Sequence, residues 1–176
     1  MRLDVALGPL SAESAERMLG WVRTVELAED IGLASEPSLE KTVRWIECAT
    51  SRNGIWAWAI RLSGEHVGNV VFDQFDPRAA SARISIYLGS AEDRGLGIGS
   101  TALRLALDRA FSEGGLYRVW LTVHAENQRA LRTYLRLGFQ KEGTLREAFV
   151  RQGRRVDAYV MGLLRRDFLA GGEADL

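Results

Sequence analysis

Hydrophobic and polar positions change period several times along the 176 residues. Leu3 to Leu7 is a short apolar run that reads as a strand. Ser11 then caps a helix to about Val25, because Ala15, Met18, Leu19 and Val22 recur at helical spacing. Residues 26–36 hold neither period and read as irregular. Pro37-Ser38 opens a second helix, with Leu39, Val43, Trp45, Ile46 and Ala49 as its apolar positions. Ile55 to Leu62 and His66 to Phe72 flank the turn Ser63-Gly64-Glu65 and predict an antiparallel pair. Residues 73–80, with Pro77, read as a loop. Ser81 to Leu88 alternates Ala82, Ile84, Ile86 and Leu88 against Arg83, Ser85 and Tyr87, a half-exposed strand.

The pattern then shifts. A glycine-rich loop, Arg94 to Gly99, leads into a helix from Ser100, with Leu103, Ala106, Leu107, Ala110 and Phe111 on one side and Gly114-Gly115 at its end. Tyr117 to His124 is a strand. Asn127 begins another helix, with Ala130, Leu131, Tyr134 and Leu135 inward and Gly138 closing it. Two strands, about 140–150 and 155–164, meet at the turn Arg151 to Arg154, and residues 171–176 form a mobile tail. No repeat or linker divides the chain, so 1–176 reads as one domain. The order of elements predicts an α/β (α+β) fold whose mixed sheet is mostly antiparallel, with one parallel strand–helix–strand unit over 81–124.

Composition narrows the function. Hydrophobic residues make up 47% and charged ones 26%, an ordinary globular balance. Basic and acidic residues number 23 each, so no net field draws the chain to nucleic acid or a membrane surface. Cys48 is the sole cysteine, which excludes an internal disulfide. No run of about 18 apolar residues suggests a membrane span. A cytoplasmic location is the expectation.

Two stretches carry chemistry. In Arg94, Gly95, Leu96, Gly97, Ile98, Gly99 and Ser100, the glycines let several N–H groups converge where a helix adds its positive end, a way to bind phosphate without lysine. Arg94 adds a charge-assisted contact. Taken alone, a turn that only admits the chain to a helix accounts for the loop equally well. The glycines are too close for a dinucleotide fingerprint, and Ser100 stands where a Walker loop needs Lys. In the second stretch Asn127, Ala130 and Tyr134 lie at i, i+3 and i+7 on one side of a helix. Singly, Asn127 can be a plain N-cap, Tyr134 a core aromatic and Gly138 a helix stop.

Together, R-x-x-G-x-G at 94–99 and N-x-x-A-x-x-x-Y-x-x-x-G-F at 127–139 resemble the GNAT superfamily of N-acetyltransferases. Asp157 and Met161 in the last strand resemble the branch with the RimJ/RimL ribosomal-protein acetyltransferases and several amine-acetylating enzymes. The likeness is good over about 55–164 and loose over the first helices. It implies a sheet of about seven strands with helices on both faces and strands 4 and 5 splayed, and acetyl-CoA as cosubstrate with no metal. By the resemblance, Arg94 to Ser100 would hold the pyrophosphate of coenzyme A. Ile86, Tyr87 and Leu88 would line the pantetheine arm, with an N–H near Leu88 polarising the thioester carbonyl. Asn127 would hydrogen-bond the arm, and Tyr134 would protonate the leaving thiolate. Where some members carry an acidic base this chain has Thr122, so Glu142, Asp157, His124 or a water chain remain as bases.

The acceptor pocket falls to the first helices and the last hairpin. Trp21, Trp56 and Trp58 are candidates to line it, although strand aromatics are core residues first. Glu26, Glu29, Asp30 and Glu36 can attract a cationic amine or serve only as solvated charge. The expected reaction is direct attack of a primary amine on the thioester, the acceptor being a small amine, amino sugar or amino-acid-like molecule. Alternatives are N-terminal acetylation of a protein, a coenzyme-A-binding sensor, and another nucleotide-binding domain. A homodimer is a compatible assembly.

Overall fold

A computed structural model of the chain describes residues 3–30, 36–51 and 54–172. Two compact units emerge, Met1–Gln74 with Ser85–Ala106, and Phe75–Ile84 with Leu107–Leu176.

In the first unit, β1 (Val5–Gly8), β2 (Trp56–Leu62) and β3 (Glu65–Asp76) form an antiparallel ladder, from Val5 against Leu62 and Trp56 against Phe72. Between β1 and β2 lie a 3-10 turn (Ala12–Ser14) and helices α1 (Ala15–Val22), α2 (Val25–Asp30) and α3 (Leu39–Thr50). The spacing that predicts α1 is the face it buries: Ala15 and Met18 pack with Leu10, Ile46 and Ala59, while Leu19 and Val22 pack with Leu27. Ser38 caps α3 as expected, its hydroxyl accepting the Lys41 N–H at 3.3 Å.

Several expectations need correction here. Ser11 is extended and makes no side-chain cap bond; its carbonyl accepts the Ser14 N–H at 2.9 Å, so a 3-10 turn precedes α1. The stretch 26–36 is not irregular throughout, because α2 covers its start, anchored by the buried Leu27. Leu27, set among acids, leaves no readable period. Residues 31–35 lie outside the described residues. β3 runs to Asp76, four residues beyond Phe72. Leu39, in the first turn of α3, is exposed.

The second unit takes the start of β4 (Ser81–Leu88), which pairs in parallel with β5 (Arg118–His124) only from Ser81–Arg118 to Arg83–Trp120. β5 is antiparallel to β7 (Arg154–Leu164), and β7 to β6 (Gln140–Arg151). Helix α4 (Ile98–Ser112) precedes β5, and α5 (Gln128–Arg136) precedes β6. A sixth helix, α6 (Arg165–Gly172), has no counterpart in the sequence reading; its Phe168 packs on Phe111 with ring centroids 5.4 Å apart. Gly171 and Gly172 therefore end a helix, and 173–176 lie outside the described residues. Leu135, expected inward, is exposed.

Hydrogen bonding orders the strands β1-β2-β3-β4-β5-β7-β6. This is the mixed, mostly antiparallel seven-stranded α/β fold expected, with β4–β5 as its parallel pair. Among the described residues no helix is long and apolar enough to cross a membrane.

Candidate active site

The glycine loop is ordered by its own main chain. Gly95 and Gly97 have φ of 86° and 91°, which side chains disfavour. Arg94 N–H donates to Ala91 O at 3.1 Å. Thr101 N–H reaches Gly97 O at 3.0 Å, the first bond of α4, and the Ser100 hydroxyl donates to the same carbonyl at 2.9 Å. The helix thus begins at Ile98, two residues before the expected Ser100. The N–H groups of Ile98, Gly99 and Ser100 precede that first bond, have no intrahelical acceptor, and sit at the positive end of the helix dipole. Such an end suits a phosphate. Ile98 is fully buried and pins the loop, whereas Leu96 stays in solvent. Arg94 is half-buried beside it.

In the same unit, β4 presents two different faces. The δ-carbons of Ile86 and Leu88 approach the α-carbon side of Gly99, each 3.9 Å from the position of a β-carbon there. Tyr87 points the other way, as strand alternation requires. Asn69 Nδ2 donates to Tyr87 Oη at 2.6 Å, and Trp21 meets the ring edge-on at 6.3 Å. Gly89 N–H donates to Val67 O at 2.9 Å.

A feature absent from the sequence reading lies on β3. Ile60 pairs with Gly68 but Arg61 with His66, so Val67 is an extra residue, a β-bulge. Without it, strand alternation would put residues 66 and 69 on opposite faces. With it, His66 Nε2 lies 2.9 Å from Asn69 Oδ1 and 3.0 Å from Gly68 O. Both residues are buried, and His66 Nδ1 has no hydrogen-bond partner among the described residues. Burial pushes the His66 imidazole below its ordinary range; bonds to Asn69 and Gly68 oppose the shift, and Arg61 and Arg17 add to it. Tyr87 is pushed up to about 12 by burial, against the bond from Asn69. No motif marks this trio; its signal is spatial.

In the second unit, Asn127 caps α5, its Oδ1 accepting the Ala130 N–H at 3.1 Å. One side of that helix carries Tyr134, 9% exposed and packed on Phe139 with centroids 5.7 Å apart. Desolvation alone pushes its phenol up to about 12, so it is fully protonated at neutral pH. The candidate bases fare unequally. Glu142 Oε1 accepts from Arg118 Nη1 at 2.6 Å and Oε2 from Nη2, and the Arg118 bonds hold its carboxyl below the usual range. His124 is buried with Arg151 Nη1 over its ring, 3.1 Å from Nε2 and 3.3 Å from Nδ1, and Phe149 against it. Asp157 is exposed and accepts the Glu147 N–H at 2.8 Å. It lines an open cleft of about 620 Å³ with Thr144, Leu145, Arg146 and Glu147, where β6 slips register between Leu145 and Phe149.

Trp56 and Trp58 both flank the buried Phe72, at 6.1 and 6.0 Å, which is core packing. Trp21 instead meets His66 at 5.0 Å as well as Tyr87. Of the acids, Glu29 is half-buried on α2 and Glu36 is exposed, while the side chains of Glu26 and Asp30 lie outside the described ones. Among the described residues no group of three or more His, Cys, Asp or Glu is placed to hold a metal ion.

Residues 4–140 match the family model described as acetyltransferase (GNAT) domain. The chain belongs to the GNAT acetyltransferase family. It is similar to the spermidine N(1)-acetyltransferase of Escherichia coli strain K12, with 31% identity over 113 residues. That match covers 64% of this chain and spans only 60% of the relative's length. The L-amino acid N-acetyltransferase AaaT of the same strain is 28% identical over 122 residues, 69% of this chain and 75% of that protein. A crystal structure of spermidine N-acetyltransferase from Vibrio cholerae in complex with CoA and spermine shares the fold at TM-score 0.87 and 22% identity, covering 94% of this chain and 98% of that one.

Proposed function

We propose that this GNAT protein works as one N-acetyltransferase domain, moving the acetyl group of acetyl-CoA to a small primary amine. The observation that carries the reading is the phosphate-ready end of α4, whose first intrahelical bond, Thr101 to Gly97, leaves the Ile98, Gly99 and Ser100 N–H groups as donors. Arg94 to Ser100 hold the pyrophosphate, Ile86, Leu88 and the main chain of Tyr87 line the pantetheine arm, and Asn127 donates its amide N–H to it. The amine lone pair forms the new C–N bond, the C–S bond breaks, and Tyr134 gives its proton to the departing thiolate. A phenol this buried stays protonated across the working pH range. Gly89 N–H is engaged by Val67, so the oxyanion donor is another N–H of that segment. Glu142, held as the partner of Arg118, is not the base; a water chain fits better.

The branch suggested by Asp157 and Met161 contains both protein- and amine-acetylating enzymes, and the spermidine and amino acid acetyltransferases among the relatives favour the amine side. For assembly we propose a homodimer, supported by exposed Leu145 and Val150 on β6, the outer strand of its unit. A cytoplasmic location accords with the exposed, free Cys48. The test is an acetyl-CoA-consumption screen over polyamines, amino sugars, amino acids and N-terminal peptides, beside melting scans with acetyl-CoA. Turnover of a small amine with a raised melting temperature supports the assignment. No shift at millimolar acetyl-CoA overturns it.

A further inference from the structure

Three side chains of the first unit form a hydrogen-bond chain whose direction is fixed by chemistry. Gly68 O can only accept, so His66 Nε2, 3.0 Å away, must carry a hydrogen. The Asn69 atom 2.9 Å from that nitrogen must then be the acceptor, Oδ1. The amide NH₂ is thereby turned to Tyr87, where it donates to Oη at 2.6 Å. The order holds whether His66 is neutral or charged, since both forms keep the Nε2 hydrogen. Tyr87 forms no hydrogen bond with its own proton among the described residues, so its hydroxyl keeps a donor for a further acceptor.

The surroundings suggest construction for a purpose. The bulge at Val67 is what brings His66 and Asn69 to one face, and bulges of this kind re-aim side chains beside active sites. Asn69 is completely buried and His66 is 6% exposed. A β-carbon on Gly68 would collide with Tyr87 O, so the glycine lets β3 and β4 approach closely enough for the bond to form. Tyr87 also lies on the face of β4 away from Ile86, Leu88 and Gly99, where its ring and Trp21 pack against the Leu19, Val22 and Leu27 cluster.

We propose that Tyr87 is a specificity-determining residue, with His66 and Asn69 as its positioning residues, and that its hydroxyl donates to an oxygen of the acceptor. This rests on the acetyltransferase reading and narrows it. The preferred amine carries a carboxylate, carbonyl or hydroxyl near its reactive nitrogen, as amino acids, their amides and amino alcohols do. A polyamine, whose charged nitrogens only donate, gains nothing from that proton. A site that points a buried polar group at one substrate oxygen discriminates strongly against the analogue lacking it.

The test compares kcat/KM for amines with and without that oxygen at matched length: L-alaninol and L-alaninamide against sec-butylamine, with spermidine in parallel. We expect the wild type to favour the oxygenated amines at least about tenfold and Tyr87→Phe to shrink that ratio about tenfold. Asn69→Asp is the second variant. Its carboxylate accepts from both neighbours, draws the Tyr87 proton inward, and should shrink the ratio likewise. A merely structural role would lower all amines together and leave the ratio unchanged, which overturns the proposal. So does a wild type that prefers spermidine or sec-butylamine. If no amine consumes acetyl-CoA, the acetyltransferase reading itself fails, a result distinct from turnover without oxygen preference.

Discussion

The loop at 94–99 and the helix at 128–136, proposed to serve the same substrate, would work in opposite ways. In the loop the proposed recognising groups are main-chain N–H donors, and Leu96 in the middle is exposed. In the helix they are side-chain atoms, the Asn127 amide and the Tyr134 phenol, on a frame that the Asn127 cap itself helps to build. A backbone site is damaged by obstruction, a side-chain site by deletion. The two should therefore respond differently to mutation.

The largest expected effect is on the helix. Tyr134→Phe should lower kcat about 10²–10³-fold while acetyl-CoA affinity is nearly kept, as measured by steady-state kinetics and calorimetry. An unchanged rate would move the proton donor elsewhere. Next is the loop: Gly97→Leu must fit a branched residue at φ of 91°, and acetyl-CoA affinity should fall about tenfold or more with a smaller change in kcat at saturation. The paired control, Leu96→Ala, should alter neither.

A third contrast uses pH. Tyr134 holds its proton up to about 12 in the fold but to about 10 when unfolded. Between those values the native state binds more protons, so stability falls as pH rises, by up to about 2 kcal/mol from this group. Melting scans from pH 9 to 11.5 should show a flatter decline for Tyr134→Phe than for wild type. An equally steep decline would contradict the burial argument.

The smallest effect separates the two jobs of Asn127. Asn127→Asp retains the acceptor oxygen for the Ala130 N–H, so the melting temperature should hold within a degree or two. It loses the amide donor, and the Michaelis constant for acetyl-CoA should rise severalfold. Asn127→Ala should lose both, including about 1 kcal/mol of stability.

What the sequence made legible was whatever repeats at a fixed spacing. The buried faces of α1 and α4, the Ser38 cap and the seven strands follow from periodicity and from turn residues acting locally. Helix α2 escaped because its buried anchor, Leu27, stands among acids, and α6 because its packing on Phe111 joins residues far apart in the chain. The glycine loop was readable, but not that its helix starts at Ile98, since that depends on which amide first finds a carbonyl. His66 and Asn69 were missed for a deeper reason. Three residues apart on a strand, they belong to opposite faces unless a bulge intervenes, and no residue type at Val67 announces one.

The closure of the glycine loop on itself carries a kinetic consequence. Gly97 O holds both the Thr101 amide and the Ser100 hydroxyl, so the proposed anion cradle is fastened by the chain's own bonds. Little freedom remains to be lost when the diphosphate lands, and its capture should proceed as one fast bimolecular step with no slow isomerisation behind it.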